Sequence, residues 1–456
     1  MTASAHLRDH TALAADLASG AATSVGLVEA ALARIAAQDA DIRAFISVVP
    51  EAARQDAALS DARRAAGQTL GPLDGVPFAV KDNIAVRGVP TTCGTLAFPD
   101  PASTDATVVA RLRSAGAVLV GTLNMHEGAL GATTDNPFWG RCRNPLDPNR
   151  TPGGSSGGSA AAIAAGMVPF TLGTDTMGSV RIPAAYCGLW GLKPSRGRIS
   201  VAGLVHLSWT LDTIGPLARS ARDLGVLFDV LAGHDPADAT SQMAQEAAPN
   251  PSDLRGLRFG LPDIAALASC EPQVLAAFAE MTQALQDAGA VLIPVTIADW
   301  NPTELRRAGL LVSEVEGAAT LGTAVDGPGL SDGFRAMLDY GRRAPAIKLA
   351  LAYRHFHQIS CAFNAVMQGL DGLILPTAPQ LAFDHGGAVP VNQADFTALA
   401  NVCGAPALTV PVALPGSGLP AAVQIIAPIG QDRRLIAIAS LMQQLPTVHA
   451  WTGEMT

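Results

Sequence analysis

Residues 106–120 read ATVVARLRSAGAVLV, and this short stretch decides the fold class of the chain. It predicts a helix that ends before Gly116 and a buried strand that follows it. The same order recurs at 274–295, where Gly289 separates a predicted helix from an apolar run. Helices that alternate with strands form a sheet covered on both faces. We therefore predict an α/β fold.

The composition favours one large body over several small domains. The chain has 456 residues, of which 49% are hydrophobic and 15% charged, whereas ordinary soluble domains contain about 25% charged residues. Little charge means little surface for the enclosed volume, so we predict a single domain over 1–456. Its catalytic core is expected at about 70–220 and its substrate-pocket half at about 257–450. Segment 236–256 is polar and proline-rich, which predicts a surface linker between them.

The charges and the cysteines exclude several classes of protein. A net charge of −9 without a run of basic residues argues against binding to nucleic acid or to an anionic membrane. The stretch between Arg150 and Asp175 carries no charge, but it begins with loop-forming glycines, so no membrane span is predicted. Residues 1–10 lack the apolar core of a secretory signal. The six cysteines are scattered without a C-x-x-C pair. We therefore expect free thiols, no metal site and a cytoplasmic location.

Two glycine-rich segments concentrate the candidate chemistry. Residues 153–159 read GGSSGGS and residues 173–183 read GTDTMGSVRIP. Glycines let backbone N–H groups approach a phosphate or an oxyanion. A phosphate-binding loop needs a lysine directly after it, which this sequence lacks. The first segment also satisfies G-x-S-x-G of α/β-hydrolases, but residues 150–152 do not form a strand and no downstream histidine is marked as a base.

A third interpretation joins both segments with Lys81, which ends a predicted strand. The motifs are GVPFAVKDN over 75–83, the two glycine-rich segments and GLKP over 191–194. Together they closely resemble the amidase signature family, from about residue 20 to residue 445, and within it small bacterial amidases such as malonamidase. The resemblance implies one α/β/α domain with a central mixed β-sheet, and it implies no cofactor.

The resemblance also implies three catalytic roles. Ser179 would be the nucleophile, Ser155 the bridging serine that follows a cis Gly154–Ser155 peptide bond, and Lys81 the general base. A serine hydroxyl is a poor nucleophile until a base takes its proton. A lysine can be that base only when burial or a neighbouring cation lowers its pKa. Ser155 would then relay the proton between Ser179 and Lys81.

Further residues around the nucleophile follow from the same resemblance. The predicted oxyanion hole consists of the backbone N–H groups of Thr176, Met177, Gly178 and Ser179. The predicted supporting residues are Ser156, Thr174, Asp175 and Arg181. Thr174 and Asp175 are expected to orient the nucleophile loop, and Arg181 is expected to be an ion-pair partner. Met177 stands where the family usually has glycine, and it adds a flexible apolar side chain beside the acyl pocket.

The substrate is predicted from the residues expected at the entrance to the site. The predicted lining residues are Met125, Leu130, Gly131, Trp139 and Trp209. Such an apolar entrance predicts an amidase for small neutral amides, with anilides and carbamates (urethanes) as candidate substrates. We expect a monomer or a homodimer. The alternative is the glutaminase A subunit of a tRNA-dependent amidotransferase, which needs a charged anchor pair for glutamine. Asp395 lies close to the expected acidic position, but one residue out of register. A non-enzymatic binding protein is disfavoured because all three catalytic positions are filled.

Overall fold

The computed structural model describes residues 8–243, 248–414 and 418–448. The helices are α1 (His10–Ser19), α2 (Ser24–Ile42), α3 (Pro50–Ala65), α4 (Thr107–Ser114), α5 (Gly157–Ala164), α6 (Arg181–Tyr186), α7 (Ala221–Leu231), α8 (Pro272–Asp287), α9 (Pro302–Leu321), α10 (Asp332–Arg343), α11 (Ala346–Val366), α12 (Ala398–Val402) and α13 (Asp432–Met442). The strands are β1 (Phe45–Val48), β2 (Pro77–Lys81), β3 (Val118–Leu123), β4 (Asp135–Asn136), β5 (Gly140–Arg141), β6 (Phe170–Asp175), β7 (Trp190–Lys193), β8 (Thr213–Ala218), β9 (Arg258–Pro262), β10 (Val291–Val295), β11 (Gly372–Pro376), β12 (Ala407–Val412) and β13 (Ala421–Ile426). Short 3-10 helices cover Glu127–Ala129, Ile264–Leu267 and Gly322–Asp326.

One mixed sheet takes strands from both halves of the chain. Its eleven strands follow the order β1-β3-β2-β6-β8-β7-β12-β13-β11-β9-β10, and β4 and β5 form a separate hairpin. The neighbours within β3-β2-β6 and within β11-β9-β10 are parallel. The other neighbours in the sheet are antiparallel. The predicted α/β fold with a central mixed sheet is therefore confirmed, while the division into core, linker and C-terminal half stays a prediction.

Helices cover both faces of this sheet. In β2, Phe78 and Val80 join a buried cluster that includes residues of α7 and α13. Ala79 points the other way and joins a cluster that includes residues of α2 and α5. In β11, Leu373 and Leu375 pack with residues of α9, α11 and α12. Alternation along each strand thus sends successive apolar side chains into opposite layers, which is the physical basis of a three-layer α/β/α body.

The structure shows the conformations of the charge-free stretch, the predicted linker and the cysteines. The charge-free stretch between Arg150 and Asp175 forms α5 and β6, and no helix in the described residues is long and apolar enough to cross a membrane. Residues 236–243 and 248–256 form turns and irregular structure. All six cysteines are free thiols, and the described ranges hold no group of three or more potential metal ligands.

Candidate active site

The sheet brings the predicted catalytic segments to one edge. Strands β2 and β6 are parallel neighbours, so their carboxyl ends, at Lys81 and Asp175, lie together. Ser155 lies in the loop that enters α5, and Ser179 lies in the loop between β6 and α6. Residues that are far apart in the chain therefore meet because strand ends and helix starts share this edge.

Lys81 is fully buried and contacts two hydroxyl groups. Its Nζ lies 2.7 Å from Ser155 Oγ and 2.7 Å from Thr174 Oγ1. Burial lowers the pKa of Lys81 to about 7, although the negative charges of Asp212 and Asp175 oppose this shift. A neutral amine can donate a hydrogen bond to Thr174 and accept the proton of Ser155. Among the described residues Ser155 pairs with this lysine and with no histidine, so the geometry does not support the α/β-hydrolase interpretation.

Ser155 and Ser156 link the bridging loop to the nucleophile loop. The Gly154–Ser155 peptide bond is cis. The Ser156 N–H donates to the Ser179 carbonyl oxygen at 3.3 Å. The Ser156 hydroxyl donates to the Thr174 carbonyl oxygen at 3.1 Å and accepts from the Thr174 N–H at 3.2 Å. Ser156 therefore fastens the start of α5 to the end of β6, and Thr174 contacts both this serine and Lys81.

Asp175 organises the nucleophile loop from beneath. Its carboxylate accepts from the N–H groups of Gly178 at 2.7 Å and Val180 at 3.2 Å. It also forms two hydrogen bonds of 3.0 Å with the Arg181 guanidinium. Burial alone raises the pKa of Asp175, but the positive charge and hydrogen bonds of Arg181 outweigh it and lower that pKa to about 2. Both side chains are fully buried, which agrees with an orienting role for Asp175 and an ion-pair role for Arg181.

The predicted oxyanion hole needs one correction. The Gly178 N–H is occupied by the Asp175 carboxylate, so it is not free to donate to a substrate. Gly178 has φ +129°, and a Cβ there would lie 2.3 Å from Thr397 Oγ1, which explains the glycine. Met177 is not among the residues with positive φ, and its carbonyl oxygen accepts from Thr397 Oγ1 at 2.5 Å. The donor roles of Thr176, Met177 and Ser179 stay predictions.

A cavity of about 200 Å³ opens beside the nucleophile loop. Its walls consist of Ala129, Leu130, Gly131, Ala132, Thr176, Met177, Ser179, Ile182, Leu207, Arg306, Leu310, Met337, Pro390, Val391, Gln393 and Ala394. Leu130 and Gly131, two of the residues predicted to line the substrate pocket, are among the walls of this cavity, and their contact with a substrate stays a prediction. Ser179 reaches the cavity while only 9% exposed, whereas Ser155 is fully buried and is not among the wall residues. A substrate in the cavity would meet Ser179 first.

Three of the predicted pocket residues lie outside the cavity walls. Met125 is fully buried in a cluster behind Ala129 and Leu130. Trp139 turns its indole Nε1 to the Thr95 carbonyl oxygen at 3.3 Å. Trp209 is 49% exposed on the surface. The pocket prediction was therefore wrong for Met125, Trp139 and Trp209, because apolar character does not fix the side of a loop on which a side chain lies.

Arg306 is the one charged residue among the described residues of the cavity walls, and the sequence analysis did not single it out. It projects from α9, and its Nε donates to Asp395 Oδ1 at 2.5 Å. Asp395 Oδ2 in turn accepts from Thr303 Oγ1 at 2.9 Å. A signal for Arg306 exists in the sequence, because it shares a helical face with the buried residues Gly309 and Ser313. An arginine on a buried helical face needs a polar partner, and here that partner is 89 residues away.

Comparisons with known proteins place the chain in a family. The Amidase family model matches residues 26–436. The chain is 39% identical to the A subunit of glutamyl-tRNA(Gln) amidotransferase from Chloroflexus aurantiacus, over 96% of each chain. The protein of the same name from Deinococcus radiodurans is also 39% identical, over 96% of this chain and 97% of its own. The chain belongs to the amidase family, the amidase signature family that its motifs resemble.

Solved structures agree with this assignment. One belongs to a vestigial protein complex that reveals the evolutionary origins of an s-triazine catabolic enzyme. It aligns with a TM-score of 0.91 and 32% identity, over 97% of this chain and 99% of that one. An amidase aligns with a TM-score of 0.87 and 32% identity, over 96% and 99%. The protein is therefore an enzyme of the class that hydrolyses amide C–N bonds or transfers the amide nitrogen.

Proposed function

We propose that the protein hydrolyses the C–N bond of small linear amides through an acyl-enzyme on Ser179. The observation that carries this proposal is the 2.7 Å contact between Lys81 Nζ and Ser155 Oγ, next to a loop that presents Ser179 to a cavity. A buried lysine with a pKa of about 7 is neutral often enough to serve as a base at neutral pH. The proposal assigns Ser155 the relay role.

The reaction would proceed in two proton-balanced halves. Lys81 takes the Ser155 proton while Ser155 takes the Ser179 proton, and Ser179 Oγ attacks the amide carbonyl carbon. The C–N bond then breaks, and the proton returns through Ser155 to the leaving nitrogen. Water next loses a proton along the same route as its oxygen attacks the ester carbonyl carbon, and that proton returns through Ser155 to Ser179 Oγ as the C–O bond breaks and the acid leaves. Backbone N–H groups of Thr176, Met177 or Ser179 would stabilise the oxyanion in both halves.

The cavity walls support the choice among amides only in part. Leu130, Ile182 and Leu310 give the cavity an apolar lining, which suits the acyl or amine group of a small amide. Anilides and carbamates remain candidate substrates because they too have apolar groups that this lining would suit. The resemblance to malonamidase is likewise part of the proposal. The hypothesis of neutral amides assumed an apolar site, and it did not predict a charged residue such as Arg306 in the cavity wall.

A glutaminase subunit is the second candidate, favoured by the 39% identity to amidotransferase A subunits. Glutamine carries both a carboxylate and an ammonium group, so its site needs a free cation and a free carboxylate. The Asp395 carboxylate is already occupied by Arg306 and Thr303 and is 1% exposed. This geometry favours an amide without an ammonium group over glutamine.

A substrate panel tests the proposal and separates the two candidates. Purified protein is assayed with propionamide, acetanilide, ethyl carbamate and glutamine, alongside Ser179→Ala and the exposed control Ser252→Ala. We expect the wild type and Ser252→Ala to release ammonia or aniline from the small amides and to be labelled by a fluorophosphonate. Ser179→Ala should fold, lose turnover and escape labelling. Full activity in Ser179→Ala contradicts the acyl-enzyme, and turnover of glutamine alone, with a co-purifying partner protein, supports the second candidate.

A further inference from the structure

We infer that Arg306 binds a carboxylate of the substrate, so that the preferred amides carry one free carboxylate group. This inference rests on the proposed function, because it assigns a substrate class to the same cavity. Arg306 is the one charged side chain among the described residues that form the cavity walls. It is 9% exposed, so its accessible atoms face a space whose other walls are mostly apolar.

The guanidinium of Arg306 has one nitrogen bound within the protein, and its two terminal nitrogens have no hydrogen-bond partner among the described residues. Its Nε donates to Asp395 Oδ1 at 2.5 Å, and Nη1 and Nη2 make no hydrogen bond to any residue that the structure describes. Guanidinium groups present their donors in a rigid planar fork that matches the two oxygens of a carboxylate. The two terminal nitrogens are therefore available for a bidentate contact, and Asp395 fixes the plane of that fork.

Asp395 is a positioning residue and not a second anchor. Its Oδ1 accepts from Arg306, its Oδ2 accepts from Thr303 at 2.9 Å, and the residue is 1% exposed. It therefore holds the guanidinium without displaying a negative charge to the cavity. A ligand ammonium would meet Arg306 without a compensating carboxylate, and like charges repel strongly in an apolar cavity.

Gln393 adds an unpaired polar atom to the same wall. Its side chain is buried, lines the cavity and donates from Nε2 to the Pro390 carbonyl oxygen at 3.2 Å. Its Oε1 is buried and has no hydrogen-bond partner among the described residues. Buried acceptors are normally paired, and the N–H of a bound amide would supply the missing donor. The cavity thus offers donors for a carboxylate, next to a glutamine whose buried amide oxygen lacks a partner among the described residues.

Matched substrates that differ only at one end test the inference. The acids succinamate, glutaramate and adipamate are compared with the neutral diamides succinamide, glutaramide and adipamide, so that three chain lengths cover the distance from Ser179 to Arg306. We expect kcat/KM for the acid to exceed that for its diamide by about 10-fold or more at the best length, as charge-assisted hydrogen bonds provide. L-glutamine, which is glutaramate with an added ammonium group, should be hydrolysed more slowly than glutaramate.

Variants of two adjacent arginines identify the residue responsible. Arg306→Gln should bring the acid-to-diamide ratio to about 1, and Arg306→Lys should restore part of it because a lysine keeps the charge without the fork. Arg307→Gln is the control, since Arg307 lies next along α9, carries the same charge and is exposed. It should keep both the ratio and the activity. Asp395→Asn should raise KM for the acids more than it lowers kcat.

Two results separate failure of this inference from failure of the proposed function. Diamides hydrolysed as well as acids at every length, or a ratio unchanged in Arg306→Gln, overturn the anchor while leaving amide hydrolysis intact. No turnover of either series and no fluorophosphonate labelling of Ser179 overturns both. Glutarate and succinate should also slow the labelling of Ser179 in the wild type and not in Arg306→Gln, and equal protection in both proteins contradicts the anchor. Thermal unfolding of each variant checks that it folds.

Discussion

Two lysines end two strands of the same sheet, and only one of them contacts the serine that we propose as the proton relay. Lys81 is the last residue of β2 and Lys193 is the last residue of β7. Both are fully buried, and burial lowers the pKa of each from 10.5 to about 7. Their contacts differ, because Lys81 Nζ meets the hydroxyls of Ser155 and Thr174, whereas Lys193 Nζ donates to the Pro194 carbonyl oxygen at 2.9 Å.

This difference shows that a lowered pKa does not by itself define a catalytic base. Desolvation disfavours the charged form of both lysines. Proton transfer also needs a partner that can give up a proton, and a serine hydroxyl can do so while a carbonyl oxygen cannot. The chain thus contains an internal control for Lys81, and the following predictions use it.

The largest expected effect is the loss of activity in Lys81→Ala. General-base catalysis contributes about 10²- to 10⁴-fold, so kcat/KM should fall by that order in this variant. The wild-type kcat/KM should rise with pH through about 7, because Lys81 must lose its proton to act as a base. Lys81→Ala should lack this rise. Lys193→Ala is the matched control and should keep the rise with pH. If Lys81→Ala kept this rise and Lys193→Ala lost it, Lys81 would be excluded as the base.

The next largest effect is a loss of folding stability when the ion pair between Asp175 and Arg181 is broken. Asp175→Asn leaves the buried Arg181 without its ionic partner, which typically costs about 3–5 kcal/mol. Urea denaturation should show this loss in the free energy of unfolding. Asp326→Asn removes the carboxylate partner of an exposed arginine, Arg342, and should change stability by less than about 1 kcal/mol. Similar values for both variants would contradict the anchoring role of Asp175.

The third prediction uses Lys193 to measure the cost of burying a lysine. Between pH 7 and 10.5 the unfolded chain binds the Lys193 proton and the folded chain does not. The free energy of unfolding therefore rises with pH in this window, by at most about 1.4 kcal/mol per pH unit for one lysine. Lys193→Met should show a shallower rise than the wild type in chemical denaturation at several pH values. Parallel curves would mean that burial does not lower this pKa.

The smallest effect is expected outside the reaction centre. Trp209 is half-exposed and does not line the cavity, so Trp209→Ala should leave KM for small amides within about twofold, as neutral surface substitutions do. Leu207→Ala is its counterpart, because Leu207 lines the cavity wall, and it should raise KM. Steady-state kinetics distinguish them, and a large change in Trp209→Ala would restore this tryptophan to the pocket.

The sequence predicted the parts of the site that depend on short local patterns. An apolar run that ends in Lys81 and a glycine-rich loop around Ser155 can be recognised within ten residues, because backbone geometry requires them locally. The Arg306–Asp395 pair could not be predicted in this way. Its partners lie 89 residues apart, and only the packing of α9 brings them together. The side on which Trp209 lies depends likewise on tertiary packing.

The placement of Arg306 has a consequence for how the enzyme can change its substrates. The nucleophile loop is fixed to the sheet by Asp175 and Arg181, whereas α9 packs chiefly against α10, α11 and α12. If Arg306 is the anchor that we propose, substitutions on α9 are expected to change substrate recognition while the proposed proton relay stays intact. A few substitutions in α9 could therefore be enough for a related enzyme to evolve a new substrate. The residues proposed to carry out the reaction would not have to change.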